Sequence, residues 1–289
     1  MKKIAILGCE NSHASAFLKY IQEKEEFADV EVVGVYSDNP EASEKLRDKY
    51  GVPILENYTD AVGTIDGLVI TARHGDNHYK YAKPYIESGI PMFIDKPITI
   101  SEAEAVEFMG RLERSNVRIS GGSSLKQDAF VKQLKQEALE EVGGKTLGGY
   151  VRAPYQKENA YGGFYFYSPH LVEIVCEVFG KYPISVTAKE NGEQVHVLFH
   201  YENYDCVGLY CNKNYLYYAS RMAETTVNGA EIPSTNHWFY EEFKEFYGLL
   251  EGKEQPVSYR DFIAPVFVTA AIDRALESGK EELVRFDLM

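Results

Sequence analysis

The sequence predicts a doubly wound parallel α/β sheet followed by an α+β domain with an open, mainly antiparallel sheet, and three observations carry that prediction. The amino-terminal part alternates short continuous apolar runs with helical segments across short connections. The apolar runs end in Gly or in polar turns, as strands buried on both faces do. Beyond it, period-two segments flanked by helices take over. A chain of 289 residues, at about 100–200 residues per domain, is expected to form two domains. The expected boundaries are 1–120 and 121–289.

The elements follow in order. Ile4-Ala5-Ile6-Leu7-Gly8 is a buried strand and its turn, and 14–26 is a helix with Phe17, Leu18 and Ile21 on one face. Strands are expected at 30–36, 67–71 and 91–94, and helices at 40–50 and 79–88. Ser101 with Glu104 spells a capping box ahead of Ala105, Val106 and Phe108, so another helix starts there. Residues 117–121 read as the last strand of the first domain. After it come a helix over 128–141, a break at Gly143, Gly144, Gly148 and Gly149, and a helix over 168–179 with Pro169 early, where its missing N–H costs little. Short alternating segments at 186–188, 194–201, 206–210 and 215–219 predict an antiparallel meander, and helices near 238–250 and 261–277 close the chain.

Composition excludes several functions. The formal net charge of −14 and the lack of any Lys/Arg run argue against nucleic acid or an anionic membrane as partner, since both demand a basic surface. No apolar stretch approaches the roughly 18 residues of a membrane span. Cys9, Cys176, Cys206 and Cys211 lack the spacing of a metal knuckle, and no secretory leader is visible. A folded, soluble, cytoplasmic protein is expected.

In a doubly wound sheet, ligands lie beyond the carboxyl ends of the strands, so the turns after Leu7, Tyr36, Thr71 and Ile94 should share a site. The first turn, Gly8-Cys9-Glu10-Asn11-Ser12-His13, keeps only the first of three fingerprint glycines, with Glu10 and His13 at the other two. The helix N-terminus still offers N–H groups to an anion, with Asn11 and Ser12 as added donors. The turn reads equally as a nucleotide site or a plain strand-to-helix connection. Asp38, after the second strand, suits a ribose diol or serves as a helix cap. His74 and His78 are four apart in the polar third turn, but no third ligand follows at motif spacing, so no metal is expected. His196 and His200 share one face of a predicted strand, which needs no functional explanation. The fourth turn holds the sharpest signal. Lys96 ends an interior strand, where an unpaired ammonium costs several kcal/mol, and it suits holding a substrate hydroxyl or oxyanion.

These residues resemble the Gfo/Idh/MocA oxidoreductases over nearly the whole chain. Asp95-Lys96-Pro97 matches that family's Glu-Lys-Pro element, His78 the His before the next helix, and Val35-Tyr36-Ser37 with Asn39-Pro40-Glu41 the end of the second strand. Gly162-Gly163 and Ser168-Pro169-His170-Leu171-Val172-Glu173 match the stretch bearing the family's catalytic His. The resemblance implies an amino-terminal Rossmann domain of about 120 residues, then a domain whose open sheet binds substrate and supports homo-oligomers. It also implies that Lys96 binds both substrate and nicotinamide, and that His170 exchanges the substrate hydroxyl proton, for which an imidazole with a pKa near 6.5 is fit. Cofactor contacts are expected from Gly8, Asn11, Ser12, Ser37, Asp38, Thr71, Arg73, His78, Asp95 and Lys96.

Departures from the pattern are Phe166, where the family commonly has Asp, Glu173 in place of Asp, and Ser37 at the usual acidic position of the second turn. The expected cofactor is NAD or NADP, with NAD favoured because Asp38 opposes a 2′-phosphate. Lys126 falls near a family Arg and offers positive charge on the substrate side. The expected function is nicotinamide-dependent oxidation or reduction at a hydroxyl carbon of a sugar, polyol or related molecule. The alternatives are an NAD-using lyase or hydrolase without net redox, and a non-catalytic metabolite-binding protein. Twelve of the 22 tyrosines fall between Tyr150 and Tyr218, where an even spread gives about five. Tyr155, Tyr161, Tyr165 and Tyr167 are expected to flank a polyhydroxylated ligand, and Tyr204, Tyr210, Tyr215, Tyr217 and Tyr218 to lie on a self-associating sheet face.

Overall fold

The structure, a computed structural model, describes residues 1–233, 235 and 237–289. They fall into two compact units. The first comprises Met1–Thr99, Glu104–Gly122 and Asn236–Tyr259, and the second Ile100–Ala103, Ser123–Thr235 and Arg260–Met289.

The first unit is built on β1 (Lys2–Leu7), α1 (Ser12–Glu23), β2 (Val30–Tyr36), α2 (Pro40–Tyr50), β3 (Gly67–Ile70), α3 (Asp76–Ala82), β4 (Met92–Asp95), α4 (Glu102–Arg114) and β5 (Ile119–Gly122). The strands form a parallel sheet in the order β2-β1-β3-β4-β5. β3, β4 and β5 are buried along their whole length, which is why β3 and β4 read as nearly continuous apolar runs. The helix expected at 79–88 starts earlier and is cut at Ala82, after which Lys83–Ser88 continues as a 3-10 helix. Pro84 explains the change, since it has no N–H for the α-helical ladder.

The second unit adds α5 (Ala129–Leu139), β6 (Thr146–Tyr155), α6 (Pro169–Phe179), β7 (Ser185–Asn191), β8 (Gln194–His200), β9 (Asp205–Asn212), β10 (Tyr217–Ala223) and β11 (Val227–Ile232). Their sheet is mixed and mostly antiparallel, in the order β11-β10-β6-β9-β8-β7 with a short further strand beyond β7. The expected continuous meander is interrupted: β7, β8 and β9 form one, but β6 lies between β9 and β10 and runs parallel to β9. The glycines of β6 hid it from the sequence. A Cβ on Gly149 would lie 2.2 Å from the Phe179 ring and 2.3 Å from the Ser220 carbonyl oxygen, so Gly149 marks close packing inside the strand.

Chain order and unit membership then part company. α7 (His237–Leu250) belongs to the first unit, where Phe243, Phe246 and Leu249 join Phe17, Phe27 and Phe93 in one apolar cluster. The domain expected over 121–289 therefore lacks this segment. α8 (Tyr259–Ser278) and β12 (Glu282–Leu283) complete the second unit, β12 pairing with β7. No helix among the described residues is long and apolar enough to cross a membrane.

Candidate functional site

In the first unit the carboxyl ends of β1, β2, β3 and β4 carry a polar network. Gly8 adopts φ +85°, and a Cβ there would sit 2.3 Å from the Ala72 backbone nitrogen, so only glycine lets the first turn press on the third. Thr71 Oγ1 donates to the Gly8 carbonyl at 2.6 Å, closing the same approach. Glu10, in place of a fingerprint glycine, accepts from Ser37 Oγ at 2.6 Å and from the Arg73 amide at 3.1 Å. One carboxylate thus ties three turns, and Ser37 gains at the end of β2 the negative charge that its own side chain lacks. Asp38 accepts from the Tyr36 hydroxyl at 2.7 Å and pairs with Lys80 at 3.0 Å. Two carboxylates at the end of β2 fit a ribose diol and repel a 2′-phosphate.

Asn11 caps α1, accepting from the Ser12 amide at 2.7 Å, and its amide nitrogen donates to Asp95 Oδ2 at 2.5 Å. The Ser12 hydroxyl stays on the same cap, 3.2 Å from Asn11 Oδ1. His78 is buried and donates from Nε2 to the Ala72 carbonyl at 2.8 Å. Burial lowers its pKa, so the ring is neutral and braces the third turn.

The fourth turn gathers buried charge. Asp95 is fully buried and accepts from the Lys96 amide at 2.7 Å. Its Oδ2 lies 3.2 Å from His13 Nδ1, and His13 Nε2 lies 3.1 Å from Glu242 of α7. His13, Lys96 and Glu242 are all buried. Burial pulls the Lys96 ammonium below its usual pKa, Asp95 opposes the shift and Arg73 adds to it. Lys96 precedes Pro97 through a cis peptide bond.

In the second unit, His170 stands in the first turn of α6, behind Pro169. Its Nδ1 shares a 2.7 Å hydrogen bond with Ser123 Oγ, which also caps the short 3-10 helix Ser124–Gln127 by accepting from the Leu125 amide. The Ser123 amide donates to Glu173 Oε1 at 3.2 Å. Burial raises the Glu173 pKa, and Lys126 moderates the rise. The Tyr167 and Tyr217 rings lie 5.5 and 6.1 Å from the imidazole, edge to face. Phe166, at the position of the family's Asp, packs its ring 5.0 Å from both Tyr161 and Tyr167.

The tyrosines do not share the single sheet face expected of them. Tyr217 and Tyr218 are neighbours in a strand and so point to opposite faces. Tyr217 is at His170, while the Tyr218 ring packs diagonally against Tyr150 with centroids 5.8 Å apart. Tyr210 is buried and donates to the Ser168 carbonyl at 2.9 Å, and Tyr204 donates to the Phe179 carbonyl. The four cysteines are free and buried, and burial pushes the Cys9 thiol up to about 12. Sequence reasoning missed Ser123 and Glu242. A signal existed for Glu242, which lies four residues from both Trp238 and Phe246, inside the apolar stripe of its helix.

A parallel sheet with polar carboxyl-end turns, opened by a tight glycine turn into a helix N-terminus, is the architecture of a Rossmann fold. Residues 2–123 match the family described as "Oxidoreductase family, NAD-binding Rossmann fold". That match covers the amino-terminal part of the chain, which is similar to the Gfo/Idh/MocA oxidoreductases. The chain is 28% identical over 163 residues to glucose-6-phosphate 3-dehydrogenase of Bacillus subtilis (strain 168), a match that covers 55% of this chain and spans 44% of that relative's length. The fold is shared with scyllo-inositol dehydrogenase from Lactobacillus casei, solved with bound NAD(H) and scyllo-inositol. That likeness has a TM-score of 0.84 at 16% identity and covers 98% of this chain and 99% of that one. It is shared equally with a myo-inositol dehydrogenase from Corynebacterium glutamicum, at TM-score 0.83 and 14% identity over 99% of both chains.

Proposed function

We propose that this protein is an NAD-dependent dehydrogenase that moves a hydride between nicotinamide and a hydroxyl-bearing carbon of a sugar or polyol. The observation that carries the proposal is Lys96, a buried ammonium beside buried Asp95 at the carboxyl end of β4 in an NAD-binding Rossmann domain. A nicotinamide, when bound, supplies the hydride acceptor or donor. Lys96 holds the substrate oxygen and stabilises the negative charge it develops, a role that grows stronger in a dry site. His170 takes the hydroxyl proton in oxidation and returns it in reduction. Ser123 on Nδ1 fixes the ring so that Nε2 is the exchanging nitrogen.

Glu10 and Asp38 at the end of β2 favour NAD over NADP, because a 2′-phosphate would meet two carboxylates. The Tyr161, Phe166 and Tyr167 rings offer apolar faces to the C–H side of a polyhydroxylated ring, while phenol tips take its hydroxyls. Sugar and inositol dehydrogenases among the relatives point to the same substrate class. The chain self-associates in this reading through the outward face of its second sheet, where Val207 and Met222 are exposed and Tyr150 and Tyr218 half-buried.

The test is a panel of inositols, hexoses and hexose 6-phosphates with NAD or NADP, followed by the absorbance of reduced nicotinamide, alongside a fluorescence titration with NADH. Substrate-dependent NAD reduction with binding of NADH is expected. Binding of neither NADH nor NADPH would overturn the proposal.

A further inference from the structure

His13 stands where the third glycine of a dinucleotide fingerprint would be, yet its ring does not face the turn as a mere replacement for that glycine. It is buried among Phe17, Phe93 and Phe239, with the Phe239 ring 4.4 Å away. Each ring nitrogen faces a buried carboxylate from a different element, Asp95 of β4 and Glu242 of α7. Two buried carboxylates with nothing between them would repel and carry a large desolvation cost, and an imidazolium between them offsets both. Asp95 in turn holds the Asn11 amide of the first turn and the Lys96 amide of the fourth. The chain of contacts therefore runs from α7 through His13 and Asp95 to the α1 cap and to Lys96.

We propose that His13 and Glu242 are positioning residues: an imidazolium clamped between Glu242 and Asp95 fixes the Asp95 carboxylate, and through it the first turn and the Lys96 charge. The charged groups around the clamp are Asp95, Glu242 and Lys96, with Arg73 acting on Lys96. Burial pulls the imidazolium down, but Asp95 and Glu242 outweigh it and hold its pKa above the usual 6.5. Removing the Glu242 charge takes away one of the two supports and also one of the anions that oppose the lowering of the Lys96 pKa by burial. The consequence for turnover rests on the dehydrogenase reading, while the protonation of His13 does not.

The experiment is a ¹⁵N-histidine NMR titration of the full chain without ligands, from about pH 5.5 to 8.5, on the native protein, Glu242→Gln and Glu242→Asp. His13 is assigned through loss of its signal in His13→Gln. The native ring is expected to stay an imidazolium to higher pH than a free imidazole, and Glu242→Gln to lower its midpoint by one unit or more, a tenfold or greater change in proton affinity. Glu242→Asp should restore most of it. In turnover, Glu242→Gln should move the pH profile of kcat with a smaller effect on KM, an outcome that a space-filling His13 would not produce. A native His13 that is neutral throughout, or a midpoint indifferent to Glu242→Gln, would overturn the inference. Should NADH not bind the native protein, the function falls, but the titration still decides the clamp.

Discussion

The two units surround the groups proposed to react, Lys96 and His170, by different means. In the first, Lys96 is surrounded by formal charge: Asp95 beside it, His13 and Glu242 behind Asp95, all buried. In the second, His170 meets the Ser123 hydroxyl and the Tyr167 and Tyr217 rings, and Glu173 accepts from the Ser123 amide. A lysine that must stay cationic in a dry site needs anions around it. An imidazole that must both take and give a proton near neutrality is better served by neutral partners, because a carboxylate on Nδ1 would bias it toward the charged form. The contrast predicts that substitutions in the first unit act through charge and those in the second through geometry.

The largest effect is expected at Lys96. Lys96→Ala should reduce NAD-dependent polyol oxidation below detection, and Lys96→Met, which keeps the apolar stem and bulk, should be equally inactive. A Lys96→Met enzyme with substantial kcat would mean that the charge is dispensable and would break the contrast. His170→Ala should lose about 10²–10⁴ in kcat, the usual share of a general acid–base. Its residual rate should rise with pH as the substrate hydroxyl ionises unaided, which a plot of log kcat against pH would show.

Next comes a structural effect confined to the second sheet. Gly149→Ala places a Cβ against Phe179 and the Ser220 carbonyl, so overpacking should cost about 1–3 kcal/mol. Calorimetry should find a Tm lower by several degrees, and an unchanged Tm would mean that β6 tolerates a side chain at 149. In the first unit the stability effect is electrostatic. His13 has a folded pKa above 6.5, so its contribution is complete below pH 6.5 and is lost as pH rises through the folded value. His13→Gln should be less stable in acid and converge on the native protein as pH rises, as denaturant midpoints across pH would show.

The two units also differ in how much of them the sequence discloses. The βα alternation of 1–122 is local: most strands carry a run of apolar residues and the helices between them an apolar stripe, so the order of elements is legible without tertiary information. The second sheet is set by long-range pairing. β6 carries two glycines that depress its strand signal, and its parallel pairing with β9 leaves no local mark. The return of α7 to the first unit is equally silent in chain order, because helix propensity says nothing of which sheet the helix covers. Lys96 and His170 could be singled out in the sequence as candidates, but Ser123, which contacts His170, could not. Ser123 is an ordinary serine until the chain brings it 2.7 Å from an imidazole 47 positions away.

Ser123→Ala is the finest test of the contrast, and the smallest effect. Removing the hydroxyl deletes one hydrogen bond to His170 Nδ1 and one cap on the Leu125 amide, while Glu173 still holds the backbone at 123. A neutral hydrogen bond is worth about 1 kcal/mol net, so kcat should fall about fivefold with KM nearly unchanged. Ser123→Thr, which keeps the hydroxyl, should restore it. Ser123→Asp sharpens the comparison, since it installs on His170 the carboxylate support that His13 has in the first unit. The imidazole should then hold its proton to higher pH, and oxidation, which needs the neutral ring, should shift its midpoint upward. If Ser123→Asp left the pH profile in place, the neutral support of His170 would be incidental, and the division between charge in one unit and geometry in the other would fail.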